Sequence, residues 1–151
     1  MKRTMVLGIG NQLMMDDGIG IYVVEALKED LAIPMVDYVI GESDIEYCLD
    51  RVEGADQVIV IDAMLGGKKP GEITVSHLSE LDAMETLPIS PHNLHLFHVL
   101  QQTGKDTIVI GIEPEQLAFH IGLSDCLNNM KVNITEKISQ LLKELVVPDP
   151  M

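Results

Sequence analysis

Four side chains in this 151-residue chain are of the right type, and sit at the right places, to do chemistry. Asp16 and Asp17 are adjacent and stand between Gly8-Ile9-Gly10-Asn11 and Gly18-Ile19-Gly20; Asp62 closes the apolar run Val58-Ile59-Val60-Ile61; His92 follows Ser90-Pro91. Two carboxylates and an imidazole brought to one point suit a borderline divalent transition ion with open coordination positions. Each residue also has an ordinary use. Asp62 as a helix cap or solvated loop acid, and His92 as a helix-start residue, need no ion at all.

The elements that would carry these groups follow from the apolar pattern. Met5-Val6-Leu7 reads as the core of a short strand that breaks at a glycine loop and reaches an acidic helix start, where carboxylates accept from free amide N–H groups and sit well in the helix dipole. A helix is expected over 19–31, with Ile21, Val24, Leu27 and Leu31 among acids. A strand follows over 35–40, then a helix capped by Asp44. The run 58–61 is continuously apolar and β-branched, as a strand buried on both faces requires, and is expected to end in Asp62. Residues 72–78 alternate as a half-exposed strand that could run against the others, and 81–91 is weakly patterned around Pro88 and Pro91. A helix over 92–102, a strand over 106–112 and a closing helix over 132–146 complete the pattern.

Alternation of this kind predicts a single three-layer α/β/α domain over 1–151 with a mostly parallel sheet. In such sheets ligands bind beyond the carboxyl ends of the strands, where Asp17 and Asp62 are expected.

Composition narrows the function. Lys and Arg number 10 against 24 acids, a formal charge of −14, which repels nucleic acid and anionic membrane surfaces. The first apolar run stops too soon for a signal core or a membrane span, so a soluble, cytoplasmic protein is expected. Cys48 and Cys126 lack the CxxC spacing of a thiolate metal site. Gly8-Ile9-Gly10 begins a dinucleotide fingerprint, but Leu13 stands at its third glycine position and Asp16 and Asp17 would oppose a pyrophosphate. The GxSxG, HExxH and GK[ST] motifs are missing from the chain.

Five stretches, in order, resemble one family. Gly8-Ile9-Gly10-Asn11 with Leu13 and Asp16-Asp17-Gly18-Ile19-Gly20, then Val58-Ile59-Val60-Ile61-Asp62-Ala63, then Ser90-Pro91-His92 with Leu96 and Leu100, then Gly111-Ile112-Glu113-Pro114-Glu115 and Gly122-Leu123-Ser124, are similar to the signatures of the hydrogenase maturation endopeptidases. Those enzymes remove a C-terminal extension from the large subunit of nickel–iron hydrogenases. Each motif alone is weak, but together they span the chain from Met5 to about Ser124.

The resemblance implies a five-stranded twisted sheet with one antiparallel strand, at 73–78. It also implies a divalent-ion site at Asp17, Asp62 and His92, with nickel supplied by the hydrogenase precursor and other divalent transition ions able to substitute. The first acid is a glutamate in some members; Asp17 is one methylene shorter and needs its backbone nearer the ion. Asp16 is also a family position and is expected to cap the loop. Catalysis would fall to Asp16, Asp17 and Asp62: the ion polarises the scissile carbonyl and activates water, or it only docks the substrate while Asp16 or Asp17 activates water. A non-catalytic nickel-sensing or assembly-binding protein would use the same three ligands. His95 lies one turn from His92 and could approach the ion, whereas His77 and His120 are given no role.

Overall fold

The structure, a computed structural model, describes residues 2–146. The outermost residues of the expected 1–151 domain lie outside the described ones. In chain order the elements are β1 (Thr4–Ile9), α1 (Ile19–Asp30), β2 (Val36–Glu42), α2 (Ile45–Val52), β3 (Gln57–Leu65), β4 (Ile73–His77), β5 (Leu87–Pro88), α3 (Pro91–Gln102), β6 (Asp106–Ile112) and α4 (Asp125–Leu145).

The sheet runs β2-β1-β3-β6-β4, with the two-residue β5 added to the end of β3. β1, β2, β3 and β6 are parallel, while β4 lies antiparallel to β6 at the edge, as its alternating pattern suggested. The sequence pattern gives no sign of β5. Its two residues pair antiparallel with Met64 and Leu65 inside the Pro-marked stretch, and two residues carry no periodicity to detect.

Every residue of β1 is buried, as is β3 up to Met64 and β6 from Thr107 onward, so these strands carry the unbroken apolar runs of a sheet covered on both sides. Alternate side chains divide between two cores. Leu7, Val58, Val60 and Val109 pack with Cys48 and Val52 of α2 and Leu96, Phe97 and Leu100 of α3. Val6, Ile59, Ile61 and Ile110 pack with Val24 and Leu27 of α1 and Ile134, Ile138 and Leu142 of α4. The result is the expected three layers.

Two boundaries differ from the sequence-based expectation. α4 begins seven residues early, because Ser124 caps it by accepting from the Leu127 N–H at 3.2 Å, and Leu127 and Met130 extend the apolar face back from Ile134. β3 does not end at Asp62 but continues to Leu65. Asp62 still lies at the carboxyl edge, because β1 pairs with β3 only as far as Ile61 while β6 accompanies it to Ala63.

Among the described residues no helix is long and apolar enough to cross a membrane.

Candidate active site

β1 is flanked by β2 on one side and β3 on the other, so the chain leaves β1 through α1 in one direction and later returns to β3 in the other. This is the topological switch point of the sheet, where an open crevice forms beyond the strand ends. Asp17 follows β1 and Asp62 lies near the end of β3, so a buried carboxylate stands on each side of the switch point.

Close approach of backbone brings the two acids together. A Cβ on Gly20 would collide with the carbonyl oxygen of Ile61, the residue before Asp62. One on Gly10, whose φ is +133°, would strike the carbonyl of Asp17. The glycines flanking the acids thus fold the loop onto itself and seat the first turn of α1 directly on β3.

Asp16 and Asp17 are both buried in a 3-10 turn over Met15–Gly18, yet they do different work. The Asp16 carboxylate accepts four hydrogen bonds: Glu115 N–H and Gln116 N–H at 2.9 Å each, Ser124 N–H at 2.8 Å and Ser124 Oγ–H at 2.8 Å. Those donors sit at both ends of the 115–124 loop, so one side chain closes that loop against the β1–α1 loop. Met15, just before it, holds a left-handed φ of +50°, a conformation that costs of order 1–3 kcal/mol and persists only where its surroundings enforce it. Both of its oxygens are filled by donors and it is fully enclosed, an arrangement that suits the loop-capping role expected of it.

Asp17 is the acid with capacity left. Its Oδ2 accepts from Asn11 N–H at 3.1 Å, but its Oδ1 is buried without a partner. Asp62 is similar: Oδ2 accepts from the Asn93 side-chain amide at 3.1 Å, and Oδ1 is buried without a partner. Burial, and then the charge of Asp17, push the Asp62 carboxyl well above the usual carboxylate range; burial also raises Asp17, against the pull of the Asn11 N–H. Two buried acids, one hindered by the other's charge and each with an unpartnered Oδ1, form a place for a cation or a proton. Asn93 Oδ1 is a third buried oxygen without a partner.

His92 stands on the solvent side. Ser90 caps α3 by accepting from Asn93 N–H at 3.1 Å, which places Pro91, His92 and Asn93 on the first turn; Asn93 is buried and His92 exposed. Among the described residues no three His, Cys, Asp or Glu side chains group tightly enough to hold an ion. The expected ligand set of Asp17, Asp62 and His92 is therefore assembled only as far as its acids. His95 and His98 are exposed along the same helix.

Two contributors were given no role by the sequence: Asn93, outside every quoted motif, and Glu113, inside the Gly111–Glu115 stretch. Asn93 was hidden beside the more conspicuous His92, and its signal lay in the N-cap: a serine three residues upstream places Asn93 in the first turn facing the sheet. Glu113 is buried after β6 and accepts from Gly66 N–H at 2.9 Å and Lys68 N–H at 3.0 Å, tying down the β3–β4 loop.

Comparison with known proteins shows the family to which the chain belongs. The family model described as hydrogenase maturation protease matches residues 21–144. The chain is 35% identical over 153 residues to the hydrogenase 2 maturation protease of Escherichia coli K12, covering 94% of this chain and 92% of that protein. This chain belongs to the hydrogenase maturation protease family. A hydrogenase expression/formation protein of Thiocapsa roseopersicina is 29% identical, and there the chain spans 64% of the relative's length. Among solved structures, the E. coli hydrogenase maturating endopeptidase HybD superposes with a TM-score of 0.78 at 30% identity, covering 95% of this chain and 94% of that one. The maturation protease HycI of Thermococcus kodakarensis gives 0.73 at 25% identity, covering 94% and 93%. The protease family and the mixed sheet expected from sequence are both borne out. As a member, the chain is a hydrolase, and two buried carboxylates flank the switch point of its sheet.

Proposed function

We propose that this protein is the endopeptidase that removes the C-terminal extension of a nickel–iron hydrogenase large-subunit precursor once nickel has been inserted. The observation that carries the reading is the pair of buried, unpartnered Oδ1 atoms on Asp17 and Asp62 at the crevice of a maturation-protease fold. Buried carboxylate oxygens without donors are costly unless a cation or proton fills them. The residues therefore fit a divalent ion.

Asp17 and Asp62 would hold that ion, and His92, exposed one position before Asn93, is the imidazole able to close on an ion arriving from outside. Bound there, a divalent ion supplies charge that polarises a carbonyl or fixes the loaded precursor in place. The nickel is part of the substrate: two oxygens and one exposed imidazole, with no thiolate, make a weak claim on it, so that occupancy follows delivery.

The chain's own residues perform the remaining work. Hydrolysis adds water across the peptide bond, with a proton leaving the water and another reaching the departing amine. With Asp16 filled by donors, Asp17 is left as the base that takes the proton. Asn11 N–H holds Asp17 Oδ2 and the Asn93 amide holds Asp62 Oδ2, which fixes the rotation of both carboxylates. The cytoplasm is the proposed location, in keeping with two free cysteines and a substrate that is still being assembled.

Incubation with the nickel-loaded precursor encoded nearest to its own gene tests the proposal. Release of the C-terminal extension, read by mass spectrometry and lost in Asp17→Asn, is the expected result. Tight binding of the precursor without cleavage would instead make the protein a nickel-checking factor.

A further inference from the structure

Large exposed apolar side chains occur at several places, Val132 and Leu87 among them, but four share the two loops beside Asp16 and Asp17. Phe119 is 82% exposed and Ile121 69%, with Leu13 at 45% and Leu117 at 37%. All four lie on the two loops that Asp16 joins. The backbone of these loops also pairs: His120 N–H donates to Leu13 O at 2.9 Å and Met15 N–H to His120 O at 3.1 Å, a bridge between Met14 and His120.

This arrangement is not what an ordinary surface loop needs. Solvated loops carry polar residues and leave their large apolar groups in the core. Here a buried carboxylate spends four hydrogen bonds on fixing a segment whose middle shows apolar groups to water. Besides stabilising the fold, the fixing presents those groups in one shape, and a surface held in its bound shape loses less conformational entropy on association. Contiguous exposed apolar groups mark interaction sites.

We propose that Leu13, Leu117, Phe119 and Ile121 form a preformed docking edge for the polypeptide of the hydrogenase precursor that enters the crevice, which it engages through apolar side chains near the cleavage point. This rests on the function proposed above. The occupant follows from continuity: the edge and the crevice share one loop, since Asp16, which fixes the edge, is the neighbour of Asp17, which lines the crevice. A chain reaching Asp17 passes along it. Separate roles follow for the adjacent acids, Asp16 holding the surface that binds the peptide and Asp17 facing the bond to be cut.

The test uses Phe119→Ala combined with Ile121→Ala, with Phe119→Leu as the conservative variant. Because both residues are exposed, the fold is expected to survive, and an unchanged thermal melting curve verifies it. Binding of fluorescently labelled nickel-loaded precursor is measured by anisotropy, alongside cleavage kinetics, calorimetric titration with nickel and the mass in solution. The edge predicts a Kd and KM raised tenfold or more in the double variant, kcat within about twofold, nickel binding unchanged, and Phe119→Leu close to wild type. Anisotropy keeps this question separate from the proposed cleavage: a wild type that binds but does not cut would refute the protease reading and leave the edge standing. Unchanged Kd in the double variant overturns the edge, and so does a change from dimer to monomer, which would make the surface a contact between two copies of this chain.

Discussion

Asn93 donates an amide N–H to Asp62 Oδ2 at 3.1 Å while its own Oδ1 stays buried without a partner. The residue that orients one of the two crevice acids therefore lies next to the histidine expected to complete the ion site. Hydrogen bonds from a supporting residue fix which oxygen of a ligand faces the ion, and their loss typically costs about 10–100-fold in affinity. Asn93→Leu, similar in size but without the amide, is predicted to weaken binding of nickel or cadmium by that factor in calorimetric titration. Unchanged affinity would mean that Asn93 only fills space.

Replacing Asp16 and Asp17 should give opposite results. Asp16→Ala strands the N–H groups of Glu115, Gln116 and Ser124, and hydrogen bonds to a charged group contribute about 1.5–3 kcal/mol. A loss of about 2–4 kcal/mol in urea unfolding is expected, with ion affinity reduced far less. Asp17→Asn should remove ion binding at little cost in stability, since an amide relieves a buried, hindered carboxylate. Loss of binding in the Asp16 variant with retention in the Asp17 variant would reverse the two assignments.

Much of this was legible in the sequence because it depends on local chemistry. The unbroken apolar runs of β1, β3 and β6 placed the buried strands, and the alternation of Ile73–His77 marked the antiparallel edge. Asp44 capped its helix as expected, accepting from Tyr47 N–H at 3.0 Å. What could not be read depends on partners distant in sequence. Asp16 and Asp17 are neighbours with the same side chain, and only the return of the 115–124 loop decides that one is saturated and the other open. The start of α4, by contrast, was legible but passed over: Leu127 and Met130 carry the spacing of Ile134 and Ile138 back to the Ser124 cap, which also donates to Asp16.

The acid pair also sets a pH dependence. Both carboxyls are raised above the 3.8 of an unhindered aspartate, Asp62 by burial and then the Asp17 charge, Asp17 by burial. The folded, ion-free protein therefore keeps protons that the unfolded chain has already released. Stability falls as pH climbs from near 3.8 through the raised folded values. Urea midpoints should accordingly increase from mildly alkaline to mildly acidic pH, and Asp62→Asn should flatten that slope and stabilise the alkaline end. A midpoint that rises with pH over this range in wild type, or an unaltered slope in the variant, would contradict the raised carboxyls of the two acids.

The central claim is that the ion needed for cleavage comes with the precursor to the crevice of Asp17 and Asp62. It is tested most directly by stripping the protein with a chelator, removing the chelator, and following the mass of the large subunit after mixing with nickel-loaded or nickel-free precursor. The stripped protein is expected to shorten the loaded precursor and leave the nickel-free form intact; efficient shortening of the nickel-free precursor would rule out delivery of the ion by the precursor.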